Sequence, residues 1–169
     1  MKKILSIVLG LMLLTACGPN REKELENIEQ HEKELSEFNI TADVDQAHNL
    51  IDLYRHYVET FPDDSLSPIF MFRAAEISIN IGEQEYAVAV LDSIIDLYPG
   101  FEELPACQFM KGQAYESNQQ YDLAREAYTE FVEKYPDHYL AADTRKMIPL
   151  IGLTPEEQLE AILNGKVEQ

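Results

Sequence analysis

No hydrophobic run in this sequence is long enough to cross a bilayer. The longest, Ile4 to Leu14, has 11 residues, whereas a helix spanning the hydrocarbon core needs about 20. Basic side chains are scarce: 13 Lys and Arg stand against 31 Asp and Glu, a net charge of −18. That balance argues against nucleic acid as a partner, since binding it depends on clustered cations that neutralise phosphates. Anionic headgroups would repel the domain for the same reason. The chain also lacks a phosphate-cradling glycine loop, a nucleophile elbow and a His-Glu-x-x-His pair, so neither catalysis nor a cofactor is expected. His48, Asp52 and His56 are four apart and share a helix face. With no fourth ligand nearby, they read as surface or interfacial side chains, not as a metal site. Asp63-Asp64, after Pro62, reads as a solvated loop; calcium would require further oxygen ligands at set intervals.

What is present begins at the amino terminus. Lys2 and Lys3 precede the apolar run, and Thr15-Ala16 close it before Cys17, the order of a secretion signal. Leu14-Thr15-Ala16-Cys17 resembles the lipobox of bacterial lipoproteins. The resemblance implies a signal peptide at 1–16, a diacylglycerol on the Cys17 sulfur and an acylated new amino terminus, with palmitate among the chains. The competing reading is an ordinary signal peptide cleaved near Ala16. Each buried methylene contributes about 0.8 kcal/mol, so several acyl chains hold a protein permanently where one would not. Gly18 and Pro19, in place of an Asp, imply outer-membrane attachment, and residues 17–23 suit a short lipidated tether. Removing residues 1–16 leaves 11 basic and 31 acidic side chains, a net charge of −20. With Cys17 acylated, Cys107 has no partner for an intrachain disulfide and reads as a buried, inert thiol.

A repeat governs the rest. Phe61-Pro62, Tyr98-Pro99 and Tyr135-Pro136 recur every 37 residues, and Pro68 and Pro105 share that interval. Between them, apolar residues fall three and four apart, as in helices. The clearest unit runs as a helix from Pro105 to Ser117, a turn at Asn118-Gln119-Gln120 and a second helix from Tyr121 to Tyr135. Gly112, Tyr115, Tyr121, Ala124, Tyr128, Phe131 and Pro136 resemble the tetratricopeptide signature, in which small side chains let two antiparallel helices approach and aromatics fill the space beside them. The preceding unit keeps Ala75 and Ala87 at the small positions and Gly82 in its turn, but has Leu91 and Ile94 for the aromatics and Ser78 for Tyr115. The implied fold is all-α: a right-handed solenoid of about three to four antiparallel helix pairs with capping helices, over residues 24–165, followed by a disordered tail at 166–169.

The flanks read as caps, which repeat stacks need at their ends. Glu24 to Glu37 carries Leu25, Ile28, Leu35 and Phe38 on one stripe. Asp43 to Phe61 is its partner, with a capping box from Asp43 to Gln46. His138 to Ile148 starts a unit that Pro149 and Gly152 cut short. Thr154-Pro155-Glu156-Glu157 then caps a last helix, which Gly165 stops.

The 37-residue period, three longer than the usual tetratricopeptide repeat, resembles repeats of two envelope families: BamD-like outer-membrane assembly lipoproteins and YbgF-like Tol-Pal-associated proteins. The resemblance implies a membrane-anchored scaffold that binds a peptide or envelope protein in a groove, in the outer membrane and facing the periplasm. Ile69, Phe72, Glu76 and Ile79 of one first helix, and Phe109, Gln113 and Glu116 of the next, are the expected groove residues; ordinary packing is the competing reading for Phe72 and Phe109. A surface ligand-capture lipoprotein and an accessory subunit of an envelope enzyme remain open.

Overall fold

The structure, a computed structural model, describes residues 18–37 and 44–164. The signal segment, Cys17, Phe38, Asp43, Gly165 and the tail lie outside them. Among the described residues, eight α-helices follow one another: α1 Arg21–Glu37, α2 Val44–Thr60, α3 Ser67–Asn80, α4 Gln84–Leu97, α5 Leu104–Ser117, α6 Tyr121–Lys134, α7 Ala141–Met147 and α8 Pro155–Leu163. The described residues contain no strand. From α1 to α7 each helix packs mainly on its neighbours in sequence, as expected for stacked hairpins.

The period is kept to the residue. α3, α5 and α7 begin at positions 67, 104 and 141, and α3 to α6 each have 14 residues. The extra length of the period sits in the joints, where two tight turns follow each other. The N–H groups of Asp64, Phe101 and His138 donate to the carbonyls of Phe61, Tyr98 and Tyr135 at 3.0, 2.9 and 3.1 Å. Those of Ser67, Leu104 and Ala141 then donate to the carbonyls of Asp64, Phe101 and His138. The proline after each aromatic lacks a donor and restricts the residue before it, which ends the helix there. Tyr98 ties one joint to the previous one by donating its hydroxyl to the Pro62 carbonyl at 2.9 Å.

The small residues are where the period puts them. Ala75, Ala87, Gly112 and Ala124 are all buried. Beside them Leu91 and Ile94 fill the first hairpin, and Tyr128 and Phe131 the second. Each of these side chains contributes about 1.5–3 kcal/mol by leaving water. Within each hairpin the turn needs one residue in the left-handed region: Gly82 at φ +89° and, 37 residues on, Gln119 at φ +59°.

The ends depart from the period. α1 begins at Arg21, three residues before the expected Glu24, because the Asn20 side chain accepts the N–H groups of Glu22 and Lys23 and so supplies a cap. α2 ends in register but starts three residues early, and Leu50 occupies the position held by Ala87 and Ala124. The first pair therefore has no small-residue contact there; Ile28, Leu35, Tyr54, Tyr57 and Phe70 form its core. The Tyr54 hydroxyl donates to Glu32, which also pairs with Arg73, fixing α1 to α2 and α3. At the other end α7 starts at Ala141, not His138, since His138 to Leu140 form the joint. A 3-10 turn, Ile148–Leu150, follows α7. Arg125 then captures the Ile151 carbonyl at 2.9 Å, and Gly152, at φ +78°, lies against the Tyr121 ring. α8 opens with the expected cap at Thr154, which Glu157 completes as a capping box.

Candidate functional site

A cleft of about 830 Å³ opens beside α3, between the joint after α2 and the joint after α4. Pro68, Ile69 and Phe72 of α3 supply an apolar floor, with Leu97 and Phe101 opposite. Phe72 and Phe101 meet edge to face at 6.1 Å between ring centroids, which fixes both rings without closing the cleft. Leu97 is 67% exposed, a branched aliphatic side chain left in water.

Charge surrounds this floor. Asp63, Asp64, Arg73, Glu76, Glu102 and Glu103 line the cleft. Two of them are engaged. Asp64 takes Arg21 at 2.6 and 3.2 Å and the Leu66 N–H at 2.9 Å, and the Arg21 guanidinium, then that N–H, hold its carboxyl down at about 2. Arg73 is taken by Glu32. Asp63, Glu76, Glu102 and Glu103 form no ion pair among the described residues. Partial burial pushes the Glu76 carboxyl above the usual carboxylate range, Arg73 opposes that, and Glu103 adds to it by repulsion.

The structure divides the expected groove residues. Ile69, Phe72 and Glu76 line this cleft together. Ile79 packs on the cluster of Ala75, Ala87, Leu91 and Ile94. Phe109 lies against Tyr128 and Phe131, with centroids 5.3 and 5.4 Å apart, inside the α5–α6 hairpin. Gln113 is exposed, and Glu116 accepts the Tyr128 hydroxyl at 3.1 Å. The two helices differ at this position: Phe72 packs on the same cluster as Ile79 and also lines the cleft, whereas its counterpart Phe109 lies against the rings of Tyr128 and Phe131. Leu97, Phe101, Glu102 and Glu103 were not among the expected residues. They belong to the end of α4 and its joint, and the signal for them is an apolar Leu97 where the next unit has Lys134.

Elsewhere the polar groups are absorbed locally. His48 meets Glu83 at 2.8 Å, Asp52 meets Arg55 at 2.7 Å, and His56 lies 4.0 Å from Glu24. No group of three or more His, Cys, Asp or Glu among the described residues is placed to hold a metal ion. Cys107 is buried, and burial, with repulsion from Glu103, pushes its thiol up to about 12. No helix among the described residues is long and apolar enough to cross a membrane.

The tetratricopeptide repeat family matches residues 70–100 and 106–138, the stretches that hold most of the α3–α4 and α5–α6 hairpins. No curated protein matches the chain.

Proposed function

With two tetratricopeptide repeats in the chain as the premise, we infer that it is a non-catalytic scaffold of the bacterial envelope, which binds a peptide or partner protein and is held to the outer membrane by a lipid on Cys17, facing the periplasm. Repeats of this family suggest protein–protein interaction. The observation that carries the reading is the open, apolar-floored cleft beside α3, where three residues expected to bind lie side by side. Pockets with apolar floors and a few placed polar groups are where proteins take up ligands. The anchor rests on the order of charge, apolar run, small residues and cysteine in Leu14-Thr15-Ala16-Cys17 and the residues before it. The envelope machinery is drawn from the resemblance to the BamD-like and YbgF-like families.

The test is a photo-crosslinking amino acid placed at Leu97 in living cells, with a second at exposed Glu133 as control. A discrete protein adduct at Leu97 that is missing at Glu133 supports the scaffold. Identical adduct patterns at both positions, or none at either, would count against it.

A further inference from the structure

The repeat contains its own control for the charge around the cleft. The unpaired carboxylates Asp63, Glu76, Glu102 and Glu103 have as counterparts, one period on, Gly100, Gln113, Tyr139 and Leu140. None of these is a carboxylate. The second hairpin folds with the same helix bounds without them. The stack therefore does not require these charges, and a wet helix face would not restrict them to one unit. The aliphatic side chain shows the reverse pattern. Leu97, largely in water, has Lys134 as its counterpart, so an exposed apolar group stands where the fold accepts a charged one.

An apolar floor and carboxylates without an ion pair thus coincide in this unit and not in the next. Resting on the protein-binding reading above, we propose that this cleft takes a partner segment in which a lysine or arginine adjoins an apolar side chain, the apolar group lying on Phe72, Leu97 and Phe101 and the cation between Glu76 and Glu103. A cation brought there relieves the repulsion between two carboxylates that form no ion pair among the described residues. Arg73 offsets Glu76 only in part, because its ion pair is with Glu32. An acidic or neutral segment gains nothing from these carboxylates and costs desolvation, so the site discriminates by charge as well as by shape.

The probe is a randomised peptide library displayed on phage and panned against the full chain in detergent, followed by fluorescence anisotropy with the selected peptides. The comparison uses three proteins: unaltered, Glu76→Gln/Glu103→Gln and Leu97→Ser, each checked for an unchanged circular dichroism spectrum and melting temperature. The expected result is a consensus with Lys or Arg beside a large apolar residue, and affinity weakened about five- to tenfold by either variant. A consensus without cations, sensitive to Leu97→Ser alone, overturns the charge selectivity while leaving protein binding in place. Peptides indifferent to both variants, or no enrichment over a blank surface, overturn the cleft as the binding site altogether. A dimer in sedimentation equilibrium that Leu97→Ser dissolves assigns the floor to a second copy, and overturns the proposal in that way.

Discussion

The ring of Tyr128 lies on the bare α-carbon of Gly112. A β-carbon added there would come within 2.5 to 2.8 Å of three ring atoms, closer than any relaxed packing allows. One period earlier the same two positions hold Ala75 and Leu91, both buried in one cluster. The pairs trade volume across the hairpin: the aromatic requires glycine, and the smaller aliphatic leaves room for a methyl.

Gly112→Ala is therefore expected to destabilise the protein by about 1–3 kcal/mol by overpacking. In a Tyr128→Leu background the same change should cost far less, because the earlier hairpin folds with that combination. A double-mutant cycle by urea unfolding measures the coupling. Additive effects would show that the ring moves aside freely.

The second hairpin turn offers a gain. Gln119 adopts the left-handed conformation that Gly82 supplies in the first hairpin, at a cost of about 1 kcal/mol for a side chain with a β-carbon. Gln119→Gly removes that strain and adds some freedom to the unfolded chain. A net stabilisation of about 0.5 kcal/mol is expected, read as a higher urea midpoint with an unchanged slope.

The link from α1 to the joint after α2 titrates. The Asp64 carboxyl is held at about 2 by Arg21 and the Leu66 N–H, below the value near 4 of an unfolded aspartate. A depressed folded pKa contributes stability above the unfolded value, and that contribution is lost as the pH falls from about 4 to 2. Asp64→Asn should thus lower the melting temperature at pH 7, with the gap to the unaltered protein closing across that window. A gap of constant size down to pH 2 would show that the charge is idle.

Cys107 should be silent. With its thiol pushed up to about 12 and its side chain buried, the reactive thiolate is nearly absent at pH 8. Ellman's reagent should leave Cys107 unlabelled in the folded protein and label it fully in 6 M guanidinium. Rapid labelling of the folded chain would mean that α5 opens readily.

Replacing Cys17 by Ala tests the anchor. The protein should pass from the detergent-rich to the aqueous phase in a partition assay, since the proposed acyl chains would have no attachment point. Unchanged partitioning would refute lipidation at this position.

The interior of the stack was legible because its signals are local and repeated. Ala75, Ala87, Gly112 and Ala124 announce themselves by interval, and α5 and α6 fall within one residue of the expected bounds. The ends were less so. Asn20 caps α1 ahead of the charged stretch that suggested its start, and Arg21 finds Asp64 across 43 residues of chain, a pairing that periodicity does not encode. The cleft was half visible. Ile69, Phe72 and Glu76 share a helix face, but Leu97 and Phe101 reach it from the following joint, and Phe109 was withdrawn from an equivalent place by Tyr128 and Phe131. A helical pattern says which residues share a side; what stands opposite depends on the side chains that the partner helix and the following joint bring to it.

Because α3, α5 and α7 start at one strict interval, and the turns that deliver them are alike, the chain can be edited in whole modules. Splicing out residues 67–103 would join Leu66 to Leu104 with every later element still in phase, yet would delete the floor and the α4 side of the proposed binding surface and leave only the joint after α2. Evolution can lengthen or shorten such a molecule by unequal crossing-over, and the proposed recognition would travel with one exchangeable cassette.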